Sequence, residues 1–473
     1  MYIKRTKIIA TIGPSSFDRK ILKKMIEAGM NVARLNFSHG EYSVHAEVIK
    51  NIREISKELD TEIGIMADLQ GPRIRVGNAK EFRINAGEII LVSDIKIVSG
   101  KKELLIDSPG VVEAICIGER ILIEDGLIEL GVVKKAGKTA LARVIRGGMV
   151  KPRKGINVPD TKLHFGAITE KDEVDLKFAL EKNVDFVALS FVSNSQEVIK
   201  VREQIRKILK NGAILPQIIS KIERKGALKN LDEIIEVSDA IMVARGDLGI
   251  ETDESKVVIL QKEIIARCLC FVKPVIVATQ MLDSMIRNPI PTRAEVADVS
   301  NAVIDHADAV MLSGESASGN YPIEAVAAMK NIIVSTEESP FDDAVPELLD
   351  NEMIFDYAAT IHAAHELAKS SKAKAIAFFT FSGKTARMMS HHRPQQLILA
   401  ATDNLKVYNQ LSLIWGVDSY LIDVEKNHET AIRKMIELAK KEKKLTSGDK
   451  VVIIIGRVAR NEAIKLVKLK KVE

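Results

Sequence analysis

The chain has 473 residues, too many for one core, and at about 150 residues per domain it is expected to hold about three. Hydrophobic residues make up 46% and charged ones 28%, which excludes disorder and coiled coil as the main state. A net charge of +5 is too dilute over this length to indicate nucleic acid or an anionic membrane as partner, so small anionic substrates are the charge-matched class that remains.

Three cysteines (Cys116, Cys268, Cys270) are too few and too ill-spaced for a disulfide framework, and no Cys/His set has zinc-site spacing, which fits a reducing cytoplasm. The first apolar run ends at Gly13-Pro14, so no leader is expected, and no run approaches the length needed to span a bilayer.

In chain order, short β-branched runs alternate with longer stretches of helical period, the pattern of βα units. Strands are expected at 7–12, 31–36, 64–68, 186–190, 217–221, 240–243, 274–279 and 309–313, and eight such units suggest a closed (β/α)₈ TIM barrel. The third and fourth strands start 122 residues apart, where one unit takes about 30, leaving about 90 extra residues. That insertion, between Gly71 and Pro159, clusters apolar residues between Asp-Gly, Ala-Gly and Gly-Gly turns and reads as a small antiparallel β-barrel. Interrupting a βα loop, it should sit at the catalytic face of the barrel, placed to act as a lid. A helix over 323–335 leads into the polar linker ESPFDDAVPE. Beyond it, AIAFFT, QLILAAT, DSYLID and KVVIIIG read as strands of a C-terminal open α/β sheet. The expected division is barrel 1–70, lid 71–156, barrel 157–338 and α/β domain 339–473. The run Lys440–Lys444 reads as the solvated end of a helix, Cys268 and Trp415 as packed core residues, and His391-His392 as a helix end.

Barrel chemistry belongs at the C-terminal ends of the strands. These ends deliver Arg34, Asn36, Ser38 and His39 from strand 2, then Asp68, Leu69, Arg73 and Arg75 from strand 3. Strand 4 ends in Ser190, strand 5 in Lys221 and Glu223, strand 6 in Arg245, Gly246 and Asp247, strand 7 in Thr279, and strand 8 in Ser313. Glu223 or Asp247 alone would read as a surface ion-pair partner. Two carboxylates ending consecutive strands favour a shared hard cation, Mg²⁺ above all. Arg34, Arg75 and Lys221 are the cations that phosphoryl transfer uses for positioning and charge neutralisation. Gly246-Asp247-Leu248-Gly249 follows a strand and can offer backbone N–H groups to a carboxylate or phosphate, while the hydroxyls of Thr279 and Ser313 can hold a water.

The segments TIGPSS, MNVARLNFSHG, ADLQGPRIR, SKIE, MVARGDLG, ATQMLDSM, PTRAEVADV and MLSGESASG resemble the pyruvate kinase family, in its order and at its spacing. The resemblance implies glycolytic transfer of a phosphoryl group from phosphoenolpyruvate to ADP, giving pyruvate and ATP, in a cytoplasmic homotetramer that needs Mg²⁺ or Mn²⁺. It implies that Lys221 neutralises charge on the migrating phosphoryl group and the enolate. Glu223 and Asp247 hold the divalent ion, Gly246 and Asp247 clamp the substrate carboxylate, and Thr279 lies beside the carbon that gains a proton. Arg34 binds phosphate, while Asn36, His39, Arg75 and Lys154 line the nucleotide. Asn36, Ser38, Asp68 and the Leu69 carbonyl match the family's K⁺ site.

Two departures modify this picture. Potassium-requiring relatives carry glutamate where Arg73 stands, so the guanidinium is expected to replace K⁺. The stretch Gly456–Glu462 is short and glycine-poor where regulated relatives have a Gly-rich effector loop. Thr380, Ser382, Gly383, Lys384 and Thr385 resemble the family's effector-phosphate turn, with an allosteric anion preferred over a purely structural turn. This is not a Walker A loop, because that spacing needs glycine at Phe378. The rival readings are an aldolase or lyase using Lys221 as a Schiff-base amine, and a binding module that has lost activity. Retention of Lys221, Glu223, Asp247, Thr279 and Arg34 argues against the second.

Overall fold

Eight parallel strands close into a barrel: Lys7–Ile12, Val32–Asn36, Gly64–Asp68, Phe186–Leu189, Gln217–Ile222, Ala240–Ala244, Val275–Ala278 and Ala309–Leu312. Each pairs with its neighbour in sequence, and the last pairs back to the first with Lys7 opposite Ala309. These bounds lie within one residue of those expected from the sequence. This computed structural model describes residues 4–95, 102–163, 166, 168–209, 212–341, 355–423, 428–459 and 462–473.

The barrel strands are almost wholly buried because each is covered on both faces, which is why they read as continuous apolar runs. Ile9, Val32, Met66, Ala188, Ile219, Met242, Ile276 and Met311 form one cluster, joined by Leu413 from the third domain. Residues of opposite parity, such as Ile8, Ala10 and Val187, belong to the separate cluster that includes the surrounding helices. Gly64 opens strand 3 against the third domain. A Cβ there would meet Ser412 Oγ at 2.5 Å and Phe186 at 2.6 Å, so only glycine admits this approach.

The insertion is a separate sheet domain with its own core of Ile90, Val92, Leu104, Ile121, Leu130, Ala142 and neighbours. Its six-stranded sheet runs Ile156–Asn157, Arg120–Ile123, Ile128–Ala136, Thr139–Arg146, Ile89–Ser93, Glu103–Leu105, beside a two-stranded ribbon of Phe82–Ile84 and Gly148–Val150. The pairing is antiparallel as expected, except that Ile89–Ser93 and Glu103–Leu105 run parallel. Parallel neighbours need a longer connection than a hairpin turn, and residues 96–101 within it lie outside the described set.

The third domain orders its strands Val417–Leu421, Leu397–Thr402, Ala375–Phe379, Lys450–Ala459, Glu462–Lys471, the last antiparallel. The stretch expected as a short loop is largely strand: Gly456 pairs with Lys465 and Ala459 with Glu462. Arg460 and Asn461 lie outside the described residues, as do 342–354, which include most of the expected linker.

Lys444 is not simply a solvated helix end, because its Nζ stands 2.6 Å from both Asp418 and Glu442. Cys268 is fully buried, and Trp415 is packed in the third-domain core under the guanidinium groups of Arg5 and Arg393. His391 ends the helix Lys384–His391, and His392 caps it. This domain docks on the barrel through polar contacts, among them the buried bond from Lys7 Nζ to Val417 O at 2.7 Å and the partly buried one from Gln410 Nε2 to Leu215 O at 2.9 Å.

Candidate active site

Asp68, the last residue of strand 3 and 1% exposed, is the hub. Its Oδ2 accepts from Arg34 Nε at 2.6 Å and stands 2.6 Å from Nη2, while Arg34 Nη1 donates to Thr11 Oγ1 at 2.9 Å. Lys221 Nζ lies 3.3 Å from Asp68 Oδ1, 2.9 Å from Ser190 Oγ and 2.9 Å from Glu223 Oε1. Ser190 donates in turn to the Leu69 carbonyl at 2.7 Å, and the Phe191 N–H donates to Glu223 Oε2 at 2.7 Å. Groups from strands 1 to 5 thus meet at the C-terminal mouth of the barrel.

Burial draws the Lys221 ammonium toward its neutral form, but the Asp68 and Glu223 carboxylates outweigh that and lift its pKa above the usual lysine value. Burial would raise Asp68, yet Lys221 and Arg34 overcome it and hold the carboxyl below its ordinary range. Glu223 goes the other way. Burial and the neighbouring Asp247 carboxylate raise it, and Lys221 offsets them only in part. A lysine kept protonated is a poor nucleophile, which counts against a Schiff-base role. A buried carboxylate with a second carboxylate beside it is a fit place for a divalent cation. Among the described residues no three His, Cys, Asp or Glu are grouped to hold an ion unaided. Glu223 and Asp247 would therefore need water and substrate oxygens to complete the shell, which is the habit of Mg²⁺.

Gly246 and Asp247 lie in the first turn of the helix Arg245–Glu251, directly after strand 6. The Gly246 N–H donates to Thr279 Oγ1 at 2.9 Å, so the proposed carboxylate clamp and the proposed protonation residue touch. Thr279 has φ +72° and Gln280 φ +54°, and left-handed backbone at a β-branched residue costs on the order of 1–3 kcal/mol. Arg245 holds this turn: its Nη2 donates to the Thr279 carbonyl at 2.8 Å, and its guanidinium grips Asp298 at 2.7 and 2.8 Å. Ser313 stands at the head of the next loop, its N–H donating to Glu315 Oε2 at 2.7 Å.

Of the four residues expected to hold a monovalent ion, Asn36, Asp68 and Leu69 have their ligand oxygens engaged by the protein. Asn36 Oδ1 accepts from the Ser38 N–H at 3.0 Å, both Asp68 oxygens face cations, and the Leu69 carbonyl takes the Ser190 hydroxyl. Arg73 is exposed, and its guanidinium lies over Gly155 of the lid, where an added Cβ would meet Nη2 at 3.3 Å. Arg75 Nη1 donates to the Arg153 carbonyl at 3.0 Å, and Lys154 pairs with Glu124 of the lid at 2.6 Å. His39 is exposed, and its carbonyl meets His45 Nε2 at 3.0 Å. The lid and barrel enclose a cleft of about 550 Å³ bordered by Arg73, Asn157, Phe191, Arg224, Asp247 and Glu251.

Far from this mouth, Thr380 Oγ1 accepts from the Gly383 N–H at 3.0 Å, and Gly383 takes φ +75° to start the helix bearing Lys384 and Thr385. Ser382 completes that turn.

Several residues entered the sequence reading only as strand ends or not at all. Thr11 and Ser190 hydrogen-bond Arg34 and Lys221, Arg245 holds the strained Thr279, and buried Glu315 ties Ser313 to the Leu282 N–H at 3.0 Å. Their positions at strand ends were the available signal. A role could not be assigned without knowing which neighbours they reach.

The profile described as "Pyruvate kinase, barrel domain" matches residues 3–326, and that described as "Pyruvate kinase, alpha/beta domain" matches 358–466. A pyruvate kinase from Bacillus licheniformis is 40% identical over 472 residues, covering 99% of this chain and 80% of the relative. One from Staphylococcus aureus strain MRSA252 is 40% identical over 462 residues, covering 96% and 78%. The crystal structure of a pyruvate kinase from Cryptosporidium parvum superposes with a TM-score of 0.92 at 35% identity, covering 99% of this chain and 96% of that one.

Proposed function

The chain belongs to the pyruvate kinase family, and from that membership we propose that it transfers the phosphoryl group of phosphoenolpyruvate to ADP around Asp68 and Lys221. The observation that carries this reading is the Lys221 ammonium held between Asp68, Ser190 and Glu223, with Arg34 on the other oxygen of Asp68. In the reaction the bond from phosphorus to the enol oxygen breaks and its electron pair stays on that oxygen. A terminal phosphate oxygen of ADP forms the new bond. Arg34 and Lys221 act on the charge of the phosphoryl group, each cation near 4 Å contributing about 4 kcal/mol at an effective dielectric near 20. Lys221 then stabilises the enolate, which collapses to the ketone as its methylene carbon takes a proton on the side of Thr279, with Ser313 helping to hold the water. Gly246 and Asp247 grip the substrate carboxylate, while Asn36, His39, Arg75 and Lys154 line the nucleotide. A divalent cation, Mg²⁺ or Mn²⁺, held by Glu223 and Asp247, supplies further positive charge to substrate oxygens when bound.

The test is a coupled assay of pyruvate production from phosphoenolpyruvate. Production should require both ADP and a divalent ion, and pyruvate release without ADP would reject the reading. On the same reading the chain divides into barrel (1–70 and 157–338), lid (71–156) and regulatory domain (339–473), and works in the cytoplasm.

The protein is expected to work without potassium, with Arg73 supplying the monovalent charge beside the nucleotide. Its exposed guanidinium on the cleft and the engaged ligands Asn36, Asp68 and Leu69 support this. In potassium-free tetramethylammonium buffer the rate should fall by less than about twofold, since the charge is already covalently present. A large loss there would rule the idea out, whereas Arg73→Glu should create a potassium requirement.

The turn at Thr380–Thr385 is assigned to an anionic effector. Titration of sugar phosphates, AMP and 3-phosphoglycerate should shift half-saturation by phosphoenolpyruvate for at least one of them, and no shift for any leaves the turn purely structural. A homotetramer is expected from the family. Exposed Val258, Ile259, Ile290 and Val296 on the barrel's flank suit burial between copies. Sedimentation at the mass of a single chain would refute it.

A further inference from the structure

Asn157 stands where the chain leaves the lid for the barrel, in the strand Ile156–Asn157 that pairs with Arg120–Ile123 of the lid sheet, and its Nδ2 donates to Glu251 Oε1 at 2.9 Å. Glu251 is 7% exposed and closes the short helix Arg245–Glu251, whose first turn carries Gly246 and Asp247. Burial raises the Glu251 carboxyl above its usual range, and Asp247 adds to this. The Asn157 bond, the Arg224 guanidinium and the Lys225 N–H offset part of it. Arg224 directly follows Glu223, and its guanidinium lies 5.1 Å over the Phe191 ring. The Phe191 backbone, at φ +58°, turns its N–H to Glu223 Oε2. One buried carboxylate thus joins the lid strand to the helix that carries Asp247, with the charge of Arg224, next to Glu223, acting on it. Another lid-side contact, Asp160 with Arg120 at 3.0 Å and Lys225 at 3.3 Å, joins more exposed side chains and should hold less firmly.

We propose that Glu251 is a positioning residue, a latch through which the seating of the lid is coupled to the carboxylate pair Glu223 and Asp247. The physical reason is the cost of leaving a buried carboxylate short of a donor beside a second carboxylate. When the lid swings away, Asn157 Nδ2 leaves and Glu251 faces Asp247 with fewer compensating groups, so the helix bearing Asp247 shifts to relieve it. Coupling of this kind is reciprocal: an ion bound between Glu223 and Asp247 must favour the seated lid by the same factor that the seated lid favours the ion. The inference rests on the reading of Glu223 and Asp247 as the divalent-ion ligands.

The test uses the full chain without substrate and Mn²⁺ as probe. Calorimetry measures ion affinity, and hydrogen exchange measures protection of the lid's connecting segments with and without Mn²⁺. For Asn157→Ala, Mn²⁺ affinity should fall about fivefold or more and the ion-induced protection should vanish, with the thermal midpoint close to that of the parent. Glu251→Gln, which keeps an acceptor for Asn157, should retain more of the coupling than Glu251→Ala. Parental Mn²⁺ affinity together with parental ion-induced protection in Asn157→Ala overturns the latch. Asp247→Asn separates the two levels of argument. If it abolishes Mn²⁺ binding while Asn157→Ala behaves as the parent, the latch alone is rejected; if it leaves Mn²⁺ binding intact, the carboxylate-pair reading and the latch both fall.

Discussion

Lys221→Ala should lower kcat by about a thousandfold or more while changing the KM for phosphoenolpyruvate by no more than about threefold. The ammonium touches Asp68, Ser190 and Glu223, and the two carboxylates keep it charged against the pull of burial. Its positive charge is therefore fixed in place before the reaction begins. The charge of phosphoenolpyruvate is spread over several oxygens, and on the proposed reading other cations, Arg34 among them, also hold it. The enol oxygen gains a full negative charge only as the phosphoryl group departs, and there a preplaced cation has most effect because no reorganisation is needed. Removing it should act on the chemical step far more than on binding. A coupled assay with wild type and variant measures both constants, with circular dichroism checking the fold, since Asp68 and Glu223 each lose a buried partner. Retention of more than about one percent of kcat would reject the assigned role.

Asp308→Ala should destabilise the junction between the barrel and the third domain by about 3–5 kcal/mol, the usual result of stranding one member of a buried ion pair. Asp308 directly precedes strand 8. Its Oδ2 accepts the Val275 N–H at 2.8 Å and its Oδ1 faces Arg393 Nη2 at 3.1 Å. Arg393 belongs to the third domain, has a side chain 9% exposed, donates to the His306 carbonyl at 2.6 Å and lies 4.6 Å over the Trp415 ring. Among the described residues its Nε and Nη1 are buried without a hydrogen-bond partner, so loss of Asp308 leaves a poorly compensated guanidinium. Denaturant unfolding followed by Trp415 fluorescence reports on this junction. The double variant Asp308→Ala with Arg393→Met should recover much of the loss, because neither charge is then left alone. An unchanged midpoint in Asp308→Ala would show that the pair contributes nothing.

The barrel was legible because parallel strands covered on both faces must be apolar along their length, and their polar ends announce the catalytic mouth. Residues 7–12, 64–68 and 309–312 carry that signature without help from any neighbour. The final strand, Glu462–Lys471, does not read as one from the sequence, because the apolar residues of EAIKLVKLKK come in the pairs Ala463-Ile464 and Leu466-Val467 between lysines and lack a strand's period of two. The antiparallel return that pairs Gly456 with Lys465 puts paired strand at the stretch where a short loop is expected.

Local composition thus settled which segments become strands, where the chain is interrupted and which chemical groups reach the barrel mouth, because backbone period and burial are written in neighbouring residues. It left open that Arg34 and Lys221 share Asp68, that Arg245 holds the strained Thr279, and that Asn157 reaches Glu251 across 94 positions. Contacts between residues so far apart arise only when barrel closure brings strand ends within hydrogen-bond reach. The charge state of Lys221 and Glu223 follows from the same closure, since a pKa answers to the charges and solvent that packing places around a group.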